Sequence, residues 1–199
     1  MTLRLNRPEA RNALSPSMVR ALHLALARAR DHTDVHAVTL VGTGETFSAG
    51  ADLKGFISGR RPLEQALERR ELGTLLVLID TYSKPLVAAV NGDALGAGFG
   101  LVAACQLAVA VEAARFGLPG VRLGIMPMTI MPAIGRSLPR KLGLELILTG
   151  RLMSAREAVA QGLVNHVVAA GELEVAAAAL ARSALDYTLR PPRTTPTPG

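Results

Sequence analysis

The sequence predicts an α/β fold built on a parallel sheet. Short apolar segments alternate with helical periodicities through most of the chain. Residues 86–90 are apolar without interruption, as a strand covered on both faces requires. Segments 38–54 and 86–104 share one order: strand, glycine-rich loop, helix. At 199 residues the chain is one domain, expected over 1–187. A Pro-rich tail over 188–199 is expected to be disordered.

Each element has its own signal. Residues 1–5 alternate weakly and stop at Asn6-Arg7-Pro8, like the tail of a strand. Ser15-Pro16 opens a helix, Ser as N-cap and Pro at the first helical position. Met18, Leu22, Ala25, Leu26 and Ala29 give its apolar face. A strand is expected over 36–41, a loop over 47–50 and a short helix from Asp52. Pro62 starts a helix to about Asp80, with Leu63, Ala66, Leu67, Leu75, Leu76 and Ile79 as its apolar face. Strands follow at 86–90 and 107–111, with a helix including 101–104 between them. Residues 116–127 read as irregular, then 129–138, 140–149 and 154–161 as helices, the last with Ser154 and Glu157 as a capping box. A strand over 164–168 and a helix over 172–185 complete the domain.

Composition narrows the function. Hydrophobic residues are 49% and charged residues 19%, enough for a sizeable core and too apolar for a disordered chain. Aromatics are only 3%, so the core is expected to be aliphatic. That scarcity also argues against a surface that stacks single-stranded bases. The net charge is +6, from scattered Arg rather than a basic stripe, which suits a phosphorylated small molecule better than nucleic acid. A single cysteine, Cys105, excludes an intramolecular disulfide and a cysteine metal cluster, and no metal site is expected. The N-terminus has no apolar signal core, so a cytoplasmic protein is expected. Residues 95–111 are nearly free of polar side chains, but three glycines open the run, and a buried helix leading into a strand is the better reading than a membrane span.

The chemistry lies in the two glycine loops: Phe47-Ser48-Ala49-Gly50-Ala51-Asp52-Leu53-Lys54 and Asn91-Gly92-Asp93-Ala94-Leu95-Gly96-Ala97-Gly98-Phe99-Gly100. Each ends where a helix is expected to begin, presenting free backbone N–H groups at the positive end of a helix dipole. Two converging loops can supply two donors to one oxygen, an oxyanion hole. The competing motifs fail on spacing. A nucleophile elbow lacks its first Gly at Thr46, Gly-Lys-Ser/Thr occurs nowhere, and Gly96-Ala97-Gly98-Phe99-Gly100 puts the last Gly one residue early for a dinucleotide fingerprint. Glycine for close helix packing alone is the remaining alternative.

Four pieces, in this order, resemble the crotonase (enoyl-CoA hydratase/isomerase) superfamily. They are residues 5–14, Leu-Asn-Arg-Pro-Glu-Ala-Arg-Asn-Ala-Leu; the first loop, 47–54; Lys84-Pro85 through Gly92 with 94–98; and Leu148-Thr149-Gly150 with 154–158 and 162–164. The resemblance implies a crotonase-like fold of stacked ββα units and an acyl-CoA-binding domain over 1–187, short at both termini. It implies a trimer or hexamer of this chain, and a place in fatty acid metabolism. It implies no permanently bound cofactor, with coenzyme A as part of the substrate. The backbone N–H groups of Ala51 and Ala97 would polarise the thioester carbonyl. Ala51, Asp52, Leu53 and Lys54 would line the acyl-CoA, and Ala13 would lie in the segment that contacts CoA. Asp52 also suits a helix cap.

The same resemblance exposes a gap. Hydratases of this family add water with two Glu residues acting as general acid and base. The matching positions here are Gly100 and Gly120, and an acid placed later in some relatives falls on Pro127 and Met128. Two-Glu hydration is therefore disfavoured, as in a hydratase-domain-containing branch that the chain also resembles. Asp93 reads as a turn residue, and Glu64, Glu68 and Glu71 as a solvated face paired with Arg. His23, His36 and His166 read as structural, and Ser48 lacks an evident base. Three readings stand: a lyase- or isomerase-type enzyme using the oxyanion hole, a non-catalytic acyl-CoA-binding or regulatory member, and a truncated copy.

Overall fold

A computed structural model describes residues 1–52 and 62–188. The expected tail falls outside them except for Thr188, which ends the last helix. The expected helix from Asp52, with Leu53 and Lys54, also lies outside the described residues.

Among the described residues, nine strands form two sheets. The larger joins β1 (Thr2–Leu5), β2 (Val38–Gly42), β4 (Leu86–Val90), β6 (Leu107–Val111) and β9 (His166–Val168), in that order and all parallel. Every residue of β4 is buried, which explains its unbroken apolar run. The smaller sheet joins β3 (Thr46–Ser48), β5 (Asp93–Leu95), β7 (Arg115–Gly117) and β8 (Leu152–Ser154), with only the β7–β8 pair antiparallel. The chain alternates between the sheets, so a strand of the first, a short strand of the second and a helix recur as a stacked ββα unit.

The helices are α1 (Pro16–Asp31), α2 (Pro62–Asp80), α3 (Ala97–Ala104), α4 (Met131–Ser137), α5 (Arg140–Thr149), α6 (Ala155–Ala160) and α7 (Leu173–Thr188). Helix α7 lies across β2, β4 and β6, while α3 packs against β5 and between α2 and α4. Ser15 caps α1, its Oγ accepting from the Met18 amide at 3.2 Å. The core is mainly aliphatic; its buried aromatics are Phe47, Phe99 and Phe116, all fully buried, and Tyr82, with Phe99 and Phe116 edge to face at 6.2 Å.

Three expectations are corrected. The buried face of α1 is Val19, Leu22, Leu26 and Ala29, with Met18 and Ala25 only half-buried. Helix α2 buries Leu75, Leu76 and Ile79, but Leu63, Ala66 and Leu67 are exposed, while Gln65, Glu68, Arg69 and Leu72 line a cavity. The loop at 47–50 and the irregular stretch at 116–127 contain parts of β3 and β7. Strands of three residues are too short to show a period.

Candidate functional site

The first loop is fixed by the turn that follows β1. Asn12 is the centre of that tie. It is fully buried, with a left-handed φ of 53°, a conformation that Asn tolerates better than most residues. Its Oδ1 accepts from the Arg7 amide at 2.9 Å, and its Nδ2 donates to the carbonyls of Thr43 (2.9 Å) and Thr46 (2.7 Å). Its carbonyl accepts from Ser48 Oγ at 2.9 Å, and Ser48 Oγ in turn accepts from the Gly50 amide at 3.2 Å. Ser48 is thus fully buried and spent on loop geometry, with no room for a nucleophilic role.

The next residues continue the pattern. The Ala49 amide donates to the Arg11 carbonyl, the Leu14 amide to the Gly50 carbonyl, and the Asp52 amide to the Leu14 carbonyl, at 2.9, 2.7 and 3.3 Å. Leu14 and Ala51 form an isolated parallel bridge. In such a bridge the flanking residues, 50 and 52, bond the partner, and the central residue's own N–H points to the opposite side. Among the described residues, no acceptor takes the Ala51 amide.

The second loop arrives on that opposite side. Strand β5 runs parallel to β3, then Gly96 turns the chain at φ 51° into α3. Ala97 is the first residue of α3, so its amide is one of the donors a helix leaves unpaired. The loops touch at Gly50, whose φ is 99°: a Cβ there would lie 2.8 Å from the Leu95 carbonyl oxygen and 3.2 Å from the Ala97 nitrogen. At Gly98 a Cβ would lie 2.6 Å from Ser48 Cβ. Close packing of the two loops therefore requires glycine at both positions.

One cavity of about 350 Å³ lies where the two loops meet. Ala51 and Ala97 are on its wall with Asp52, Leu95 and Gly96. The rest is mainly hydrocarbon, from Leu14 and Val19 on one side to Leu118, Ile125 and Ile130 on the other. Arg11 and Arg69 bring cations to it, and Glu68 and Asp52 bring carboxylates. The Asp52 carboxylate accepts from Arg7 Nη1 at 3.0 Å, and the same nitrogen donates to the Ala13 carbonyl at 2.9 Å.

Other acids and histidines lie elsewhere. Asp93 is gripped by Arg115 at 2.9 and 2.6 Å, which holds the guanidinium above its ordinary pKa. Glu71 pairs with Arg20 at 3.2 Å across α2 and α1. His36 and His166 are exposed, and His23 is half-buried on α1, outside this cavity. Of the glutamates expected on a solvated face, Glu68 instead reaches the cavity wall, a placement that required the tertiary packing of α2. Gly120 borders the cavity, where a Cβ would make only ordinary contact with Ile125, whereas a Cβ at Gly100 would press on Ile130. Among the described residues, no group of three or more His, Cys, Asp or Glu could hold a metal, and no helix is long and apolar enough to cross a membrane.

An α/β fold of stacked ββα units with two glycine loops meeting at one cavity defines a narrow class. The family model described as Enoyl-CoA hydratase/isomerase matches residues 1–189. This chain belongs to that family, and its fold is the crotonase fold. It is 38% identical over 181 residues to the mitochondrial enoyl-CoA hydratase domain-containing protein 3 of Danio rerio, across 89% of this chain and 62% of that protein. It superposes on an enoyl-CoA hydratase structure from Mycobacterium smegmatis with a TM-score of 0.88 and 37% identity, across 92% of this chain and 71% of that one. The human enoyl-CoA hydratase domain-containing protein 3 structure gives a TM-score of 0.88 and 34% identity, across 92% and 72%. The chain thus spans about three fifths of the length of the Danio rerio relative.

Proposed function

We propose that this chain binds an acyl-CoA thioester and polarises its carbonyl with the amides of Ala51 and Ala97. One observation carries the reading. The tie around Asn12 takes the amides of residues 49, 50 and 52, and the Ala51 amide faces the side from which the Ala97 amide arrives. Negative charge developing on a thioester oxygen between them would be stabilised by both donors, and by the dipole of α3 behind Ala97. The hydrocarbon wall suits an acyl chain. Arg11 and Arg69 suit the phosphates of CoA, with Ala13, Asp52, Leu53 and Lys54 as the expected contact segment. In this reading coenzyme A is carried by the substrate, and no resident cofactor is needed.

Gly100 and Gly120 have no side chain to carry a proton, so the two-Glu hydration route is disfavoured. Isomerisation, thioester hydrolysis or decarboxylation would make the fewest demands on side chains, because oxyanion stabilisation is their shared requirement. A second reading, a non-catalytic acyl-CoA-binding member, is favoured by Ile130 filling the space beside Gly100. Calorimetric titration with acyl-CoAs of several chain lengths, followed by turnover assays on the same set, tests both. Binding with turnover of any thioester supports the first. Binding without turnover supports the second, and no binding at millimolar ligand sinks both.

A further inference from the structure

Ile130 stands beside the amide-bearing end of α3. Gly100 closes the first turn of that helix, three residues on from Ala97, its amide donating to the Gly96 carbonyl at 3.1 Å. A Cα–Cβ bond in a helix leans toward the helix N-terminus, so a side chain at 100 would lie over the turn that carries the Ala97 amide. Ile130 Cγ2 and Cβ hold that space, 2.6 and 2.8 Å from where a Gly100 Cβ would stand. Three residues of helix span about 4.5 Å, so Ile130 lies about one turn from the Ala97 amide, and both residues line the cavity. In a thioester whose oxygen sits on that amide, the carbon next to the carbonyl is two bonds from the oxygen. The first carbons of the acyl group are therefore the ones that meet Ile130.

This part of the wall is fixed. Ile130 is buried, its amide donates to the Pro127 carbonyl at 3.1 Å, and its carbonyl accepts from the Ile134 amide at 3.1 Å. Branching at Cβ leaves its side chain few rotamers. Leu123, Met126 and Met128 line the same cavity but are exposed, which places them at its rim, and methionine adapts its shape readily. The cavity is thus stiff beside the amide and yielding at its edge.

We propose that Ile130 is a specificity-determining residue that restricts the cavity to acyl groups unbranched at the carbon next to the thioester. This rests on reading the cavity as an acyl-CoA site and Ala97 as a carbonyl donor. One carbon more or less against an apolar wall is worth about 10–200-fold in discrimination.

The test compares hexanoyl-CoA with its isomer 2-ethylbutanoyl-CoA, which has the same number of carbons and differs in the branch. Calorimetry reads both dissociation constants for wild type, Ile130→Ala and Leu123→Ala. Wild type is expected to bind the straight chain at least about tenfold more tightly. Ile130→Ala is expected to lower that ratio at least threefold by admitting the branch, and Leu123→Ala, at the rim, to change it less than threefold. A general loss of structure would weaken both ligands rather than favour the branched one. A smaller preference in wild type, a smaller fall in Ile130→Ala, or an equal fall in Leu123→Ala overturns the role of Ile130 and leaves the acyl-CoA reading standing. Failure of both thioesters to bind wild type brings down that reading and this inference with it. If Ile130→Ala does not fold, Ile130→Val, which deletes one methyl group, decides alone: a ratio at least twofold lower supports the inference, and a smaller change overturns it.

Discussion

Ile130 occupies the space into which a side chain at residue 100 would point. A Cβ on Gly100 would lie 2.6 Å from Ile130 Cγ2 and 2.8 Å from its Cβ. Gly120 differs: its Cβ would meet Ile125 Cβ at 3.6 Å, an ordinary contact, on the cavity wall. The two positions that match the family's glutamates are therefore not equivalent. One is closed by packing and the other is open.

Gly120→Glu should fold, with a stability change within about 1 kcal/mol, whereas Gly100→Glu should lose about 1–3 kcal/mol from overpacking and more from burying its charge. Combining Gly100→Glu with Ile130→Ala should recover part of that loss. Thermal denaturation of the three variants measures the ranking, and equal effects of the two single glutamates would contradict it.

Ala97→Pro deletes one proposed donor with little insult to the helix. Proline is compatible with the first helical position, where the N–H has no intrahelical partner, and the preceding Gly96 is conformationally free. Turnover of any substrate found is expected to fall by about 10²–10³-fold, at near-unchanged stability. Steady-state kinetics beside a melting curve checks this.

Gly50→Ala should be damaging out of proportion to one methyl group. The residue sits at φ 99°, and its Cβ would press on the Leu95 carbonyl oxygen at 2.8 Å. Backbone strain of this kind costs about 1–3 kcal/mol. The expected result is lower stability together with loss of acyl-CoA affinity, because the methyl separates the two loops. Calorimetry on the purified variant reads both.

Asn12→Ala removes a buried amide that serves two carbonyls and one backbone amide. Each buried group left unpaired costs about 1–3 kcal/mol, so a loss of several kcal/mol is expected. Urea unfolding would show it. A variant as stable as wild type would mean that water replaces the side chain without penalty.

Cys105 should be inert to thiol reagents in the folded protein. Burial disfavours its thiolate and pushes its pKa well above the ordinary value, so the reactive form is scarce at pH 8. An aromatic disulfide reagent should react slowly with native protein and quickly in denaturant, and fast labelling of the native state would contradict this.

Much of the fold was legible in the chain. The bounds of α2, β4, β6 and α5 follow from apolar periods and from Pro and Gly punctuation, and the Ser15 and Ser154 caps accept from Met18 and Glu157 as their spacing predicts. The second sheet was not legible. Strands β3, β5, β7 and β8 have three residues each, and the bonds that define them join segments tens of residues apart. Within the site, the glycine loops and the missing glutamates could be read directly. The reach of Glu68 into the cavity, the Arg7–Asp52 pair and the obstruction by Ile130 could not.

The sequence by itself determined a parallel α/β domain, two loops able to offer backbone amides, and glycine at the two positions where the family's hydratases carry acids. These are local properties: periodicity, capping and the presence or absence of a side chain. Only the tertiary structure decided which amide of the first loop finds no acceptor among the described residues, which carboxylates reach the cavity and which of the two glycines has room for more. Those outcomes depend on distances between residues far apart in sequence, and packing at close range, rather than composition, sets them.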